Sequence, residues 1–164
     1  MEKSVIEIEL VEPAGQQRPS SGGRKVVAVS FDARSLTNIL NSKLRFFIRR
    51  KVPAIAPSEL YLYVNAPVSS VVAKAEVLSL SKIDVDDAVI ILDSLHMTED
   101  AVRRYIGDRS QVGLYHIGEP SPFKSPVRTE AIQRELVFHP PQNFCAVNDR
   151  VAELIELIGS GQER

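Results

Sequence analysis

Residues 25–31, KVVAVSF, form an apolar run of strand length and predict a buried strand. Asp32 follows, placed to cap a helix over ARSLTNILN, where Leu36, Ile39 and Leu40 share one face. Alternation then takes over. In KLRFFIRRK it sets Leu44, Phe46 and Ile48 on one side and Lys43, Arg45, Phe47, Arg49 and Lys51 on the other. ELYLYVN opposes Leu60, Leu62 and Val64 to Tyr61, Tyr63 and Asn65, and VVAKAEVLSL predicts a long strand with Lys74 and Glu76 on one face. Three-and-four spacing of Val85, Ala88, Val89, Leu92 and Leu95 predicts a helix over DVDDAVIILDSL. A second helix is punctuated by a Thr98 cap, Glu99 and Asp100 at its positive end and Gly107 at its stop, with Val102, Tyr105 and Ile106 on one side. QVGLYHI reads as a strand, and GEPSPFKSPV, with three prolines, as a rigid irregular loop. One or two helical turns in TEAIQREL and an extended VFHPPQNFCAV lead to a last helix, NDRVAELIELIG, capped by Asn148 or Asp149 with Val151, Leu154, Ile155 and Ile158 as its apolar face. Strands first, helices in the middle and strands afterwards predict an α+β fold whose mixed or antiparallel sheet curls into a small barrel with peripheral helices.

Length refines that picture to one domain, since 164 residues supply one sizeable core. Residues 12–23 are rich in Pro, Gly, Ser and Gln and read as a flexible linker, preceded by SVIEIEL as a short strand or docking segment. The expected division is therefore a flexible segment over 1–23, a folded body over 24–147 and a C-terminal helix and tail over 148–164. No apolar run approaches the ~20 residues that span a bilayer, and the N-terminus lacks a secretory pattern, so the expectation is a cytoplasmic protein without a membrane partner. One cysteine, Cys145, excludes an internal disulfide, and His96, His116 and His139 have no metal-ligand spacing, so neither a metal nor another cofactor is expected. His116 and Cys145 sit in apolar surroundings, where His116 reads as a satisfied, partly buried histidine and Cys145 as a small buried hydrophobe. The nucleophile-elbow, phosphate-loop and dinucleotide motifs are absent, which gives no support for an enzyme.

Charge changes the picture most. The net charge is −1, yet residues 43–51 carry five cations and no acid, whereas residues 76–108 carry eight acids against Lys82, Arg103 and Arg104. The plainest explanation of the cations is protection of an edge strand against pairing. The segregation of sign favours a second one, in which Arg and Lys hold phosphates while Phe47 or a tyrosine stacks a base at ~1–3 kcal/mol. Tyr61, Tyr63 and Asn65 extend that face, with rings to stack and an amide to read base edges.

Over roughly residues 24–147 the order of pieces resembles the ASCH domain of the PUA-like superfamily. The fingerprint there is a glycine-containing turn after the first helix and then G-x-K-x-x-E-x-R, often followed by further arginines. Here NSKLRFFIRR stands in its place: Lys43 matches the lysine, Phe47, Arg49 and Arg50 match an aromatic and extra arginines, and Asn41, Phe46 and Ile48 replace the glycine, acid and first arginine. LYLYVNAPVSSVVAKAEV, YIGDRSQVGLYHI and PPQNFCAV are similar to later pieces. The resemblance implies a small β-barrel with helices and a cleft suited to RNA or a modified base. The leading expectation is a noncatalytic module for RNA, or for single-stranded or modified nucleic acid, using Lys43, Arg45, Phe47, Arg49, Arg50, Lys51, Tyr63 and Asn65. Some relatives deacylate N4-acetylcytidine with a lysine, a threonine and a glutamate. The alternative is thus a small amidohydrolase using Thr37, Lys43 and Glu76, with Lys43 as base or activator and Glu76 as proton shuttle. A third reading is a protein-interaction domain that adds SVIEIEL as a strand to a partner.

Overall fold

The structure, a computed structural model, describes residues 25–162. SVIEIEL and the 12–23 segment lie outside the described residues. Seven strands form one sheet: β1 (Val26–Phe31), β2 (Phe46–Arg49), β3 (Glu59–Val64), β4 (Ser70–Ile83), β5 (Val112–Ile117), β6 (Ser121–Arg128) and β7 (Phe144–Val147). Their order is β2-β5-β4-β3-β1-β7, with β6 paired to β4 alone; β1 and β3 run parallel and every other pair is antiparallel. The predicted α+β class with a mixed sheet is present.

The expected barrel is not. The sheet curls until Phe31 on β1 and Phe47 on β2, with three strands between them in sheet order, bring their ring centroids within 4.9 Å. Among the described residues no strand pairing closes the seam between β2 and the β1–β7 edge. The interior of the curl holds Val27, Val29 and Phe31 of β1, Leu60, Leu62 and Val64 of β3, and Phe47 and Tyr115 of β2 and β5.

The outer face is covered too, which is why alternation misleads here. Helices α5 (Thr129–Gln133) and α6 (Asp149–Gly159) pack Ile132, Val151, Leu154 and Ile155 on Val26, Ala28, Tyr61 and Tyr63. Helices α2 (Val85–Ile90), α3 (Leu92–Leu95) and α4 (Glu99–Ile106) pack Ala88, Leu95, Val102 and Ile106 on Ile48, Ile83, Val112 and Leu114. A strand buried on both sides has no solvent face to receive its polar set. All six residues of β1 and Leu60–Val64 of β3 are accordingly buried.

Local signals held where the chemistry was local. Asp32 caps a 3-10 turn over Ala33–Ser35 that runs into α1 (Leu36–Leu40). Thr98 accepts a hydrogen bond from the Ala101 amide at the start of α4, and Gly107 (φ 62°) ends it in a conformation that favours glycine. Asn148, of the two candidates, caps α6 through the Val151 amide. The acids of 84–100 also have local duties. Asp84 and Asp87 form a capping box on α2, and Glu99 and Asp100 pair with Arg103 and Arg104 one turn on, so their clustering reflects helix starts as much as long-range segregation. Two expectations need correction. The single helix over 84–95 breaks at Ile91 (φ −113°, ψ 28°) into α2 and α3. The proline-rich 118–127 loop contributes strand β6, which tolerates Pro122 and Pro126 because among the described residues it pairs on one side only.

Candidate functional site

The open seam is a cleft of about 610 Å³. The end of β1 supplies Ser30 and Phe31, the following turn Asp32, Arg34 and Ser35, and α1 Asn38. From β2 come Phe47, Ile48, Arg49 and, just beyond it, Arg50. The α3–α4 connection adds His96, Met97 and Thr98, α4 adds Ala101 and Tyr105, and the segment before β7 adds Gln142 and Asn143. Ser30 ties two of these walls together, its hydroxyl donating to the Gln142 carbonyl at 3.0 Å and its amide to that of Asn143 at 3.1 Å.

Arg49 spans the seam that the strands leave open. Its Nη1 donates to the Ile48 carbonyl and its Nη2 to the Ser30 carbonyl, both at 2.8 Å. The guanidinium lies over the rings of Phe31 (4.6 Å) and Phe47 (4.8 Å), a contact that supports cationic charge. The side chain is densely surrounded yet keeps part of its surface open to the cleft. Burial lowers its pKa from the usual arginine value, while Tyr105 and Tyr115 act in the opposite direction. A guanidinium stays charged in proteins regardless. No ion pair with a carboxylate holds Arg49 among the described residues.

The rest of the lining is also cationic and amide-rich. Arg50 covers the Tyr105 ring at 4.9 Å while its amide donates to the Tyr105 hydroxyl at 3.1 Å. Arg34 is matched by Asp32, whose Oδ1 accepts from the Arg34 amide at 2.9 Å and from Nε at 3.1 Å. Those bonds, the amide first, hold the Asp32 carboxyl below its ordinary pKa. With that pair balanced, Arg49 and Arg50 remain as positive charge in the lining without an ion pair among the described residues. His96 sits at φ 54°, a left-handed conformation uncommon for a side-chain-bearing residue. Its Nε2 lies 2.9 Å from the Lys43 carbonyl, which requires Nε2 to be the donor and directs the chain into β2.

The candidate residues separate in space. Phe47, Arg49 and Arg50 line the cleft; Lys43, Arg45, Lys51, Tyr63 and Asn65 do not. The Phe47 ring is 5% exposed and stacked on Tyr115 at 4.6 Å. Freeing it would cost ~1.5–3 kcal/mol of burial, as much as a stacked base returns, so it forms wall and not platform. Tyr63 is buried with its hydroxyl 2.8 Å from Thr129 Oγ1, and Tyr61 donates to Glu156 Oε1 at 3.0 Å. Neither phenol presents a stacking face to solvent. Arg45 turns to the Ile117 carbonyl at 3.1 Å. Of the alternative catalytic set, Thr37, Lys43 and Glu76 are all exposed and none lines the cleft. Lys74 pairs with Glu156 of α6 at 2.9 Å instead of with Glu76. Among the described residues no cluster of His, Cys, Asp or Glu could hold a metal, and no helix is long and apolar enough to cross a membrane.

No family model matches the sequence, and no curated protein matches it. Solved structures do. ASCH from Zymomonas mobilis superposes with a TM-score of 0.73 at 20% identity, covering 81% of this chain and 94% of that one. A serine-to-alanine variant of the same protein gives 0.74 at 19%, covering 82% and 96%. The chain has the fold of an ASCH domain. The N-terminal domain of McrB from Staphylothermus marinus is a more distant likeness, with a TM-score of 0.52 at 10% identity over 81% of this chain and 94% of that one. Within the ASCH fold seen here, Ser30, Asn38, His96, Tyr105, Gln142 and Asn143 are lining residues that sequence reasoning did not single out as a site. They come from separate segments, and only the turn residue His96 departs from ordinary backbone geometry.

Proposed function

We propose that this protein is a noncatalytic nucleic-acid-binding module of the PUA-like type that takes single-stranded or modified RNA into the seam cleft. The observation that carries the reading is the lining itself: Arg34, Arg49 and Arg50 against one carboxylate, Asp32, which Arg34 already engages. Arginines supply phosphate contacts, and the amides of Asn38, Gln142 and Asn143 supply both donors and acceptors for a base edge. Lys43 and Lys51, both exposed beside β2, are proposed to extend the phosphate path outside the cleft.

Fluorescence anisotropy with matched single-stranded RNA, single-stranded DNA and duplex DNA across a salt series tests this. The expected result is RNA binding whose logarithm falls linearly with the logarithm of salt, and a double variant Arg49→Ala/Arg50→Ala with weaker binding and a shallower slope. Absence of binding to all three, or an unchanged slope in the variant, overturns it.

A further inference from the structure

We propose that Arg49 is a phosphate-anchoring subsite inside the cleft, so that the ligand is held there by an oxyanion and not by a neutral base alone. This rests on the nucleic-acid reading above, and it names the group that Arg49 receives. One cation of the cleft lining lacks what an oxyanion provides. Arg49 has five N–H groups; two go to the Ile48 and Ser30 carbonyls, and no carboxylate pairs with its charge among the described residues. The Tyr115 hydroxyl behind Phe47 is fully buried, without a hydrogen-bond partner among the described residues, and outside the cleft lining, so the site is argued from Arg49 alone. The strand register explains how Arg49 is backed: Phe47, two residues away on the same face of β2, lies opposite Tyr115 and stacks on it at 4.6 Å, and the guanidinium rests on the Phe47 ring at 4.8 Å. A buried cation fixed by carbonyls and ring faces is oriented before any ligand arrives, so an arriving anion pays little to order it. The start of α4, with Thr98 and Ala101 in the same lining, adds the positive end of a helix on the facing wall.

The full chain is titrated with inorganic phosphate at constant ionic strength and followed by calorimetry and thermal denaturation. Expected are saturable binding at one site, a rise in melting temperature, and an affinity about tenfold weaker in Arg49→Lys, which keeps the charge and loses the fork. Lys82→Ala, which removes an exposed cation outside the cleft, leaves the affinity unchanged. Lack of saturation, or equal losses in Arg49→Lys and Lys82→Ala, overturns the proposal. Should Arg49→Lys not fold, the Arg49 Nε–H resonance of the wild type is followed by NMR; it must move on phosphate addition, and a static resonance overturns the proposal. Competition separates the two readings. Phosphate bound at Arg49 without any RNA binding sinks the nucleic-acid reading and leaves the subsite. RNA binding that phosphate does not compete away sinks the subsite and leaves the reading.

Discussion

Two faces of the sheet use the same side-chain types to opposite ends. Under α6, Lys74 meets Glu156 at 2.9 Å, Tyr61 donates to the same carboxylate at 3.0 Å and Tyr63 reaches Thr129 at 2.8 Å. Every cation and phenol named there has an oxygen to match. At the seam, among the described residues, Arg49 is held by carbonyls and ring faces without an ion pair, and behind it Tyr115 buries a hydroxyl with no partner. A satisfied polar cluster fixes a helix on a sheet; a cluster of donors short of acceptors describes a place for something else. The difference separates charge matched inside the fold from charge left open at a cleft, although sequence presents both as a Lys or Arg near an aromatic.

Substitutions sharpen that contrast. The largest expected effect is on the satisfied face: Ile155→Ala, at a fully buried position of α6, should lower stability in denaturant by roughly 2–5 kcal/mol, while per-molecule RNA affinity of the folded fraction stays as in wild type. Loss of affinity without loss of stability would reverse the assignment of the two faces. Next, Arg49→Ala/Arg50→Ala should cut RNA binding by at least tenfold and reduce the salt slope by about 1.4, at roughly 0.7 per single-strand phosphate contact. Glu156→Ala removes the carboxylate that Lys74 pairs with and one of the two acceptors of the Tyr61 hydroxyl, at a partly exposed site, and should cost about 1 kcal/mol with no change in binding. Tyr115→Phe runs the other way. Burial pushes that phenol's pKa up to about 12 and Arg49 only partly opposes it, so the hydroxyl stays a protonated, unpartnered donor. Its removal should raise the stability of the ligand-free protein by about 1 kcal/mol, and a loss in thermal or urea denaturation would mean that it has a partner.

The smallest effect is a pH dependence. Burial, and then Arg45, hold the His116 imidazole below its ordinary pKa, and its ring is stacked on Phe46 at 4.2 Å. Folding therefore favours the neutral ring. Below about pH 6.5 the unfolded chain takes up a proton that the folded chain resists, so stability present above that pH declines on acidification. His116→Gln should flatten urea-denaturation stability between pH 7 and 5; an unchanged slope would remove His116 as its source.

Much of the architecture was legible because the residues that decide it are neighbours. The Asp32, Asp84, Thr98 and Asn148 caps act over two or three positions, and the strand at 26–31 and the helix at 149–159 are set by their own periodicity. The site was legible in part. Arg49 and Arg50 stood out as cations within an acid-free run, but nothing in that run distinguishes the arginine that turns into a cleft from Arg45, which turns to the Ile117 carbonyl. Phe47 and Tyr63 were placed on a solvent face because alternation divides a strand into two sides without saying whether the second is covered. Proline content concealed β6 because a strand paired on one side escapes the rule against proline.

Sequence by itself determined the elements, their caps and an acid-free cationic segment before 51, since each depends on interactions within a few residues. Tertiary structure alone decided that α5 and α6 cover one face, that among the described residues β2 stops short of pairing with the β1–β7 edge, and that Ser30 meets residues 112 and 113 positions away. The cleft exists only where those distant segments converge. Its chemistry follows from which donors their packing leaves without an acceptor, a property of the assembled surface and of no single stretch of chain.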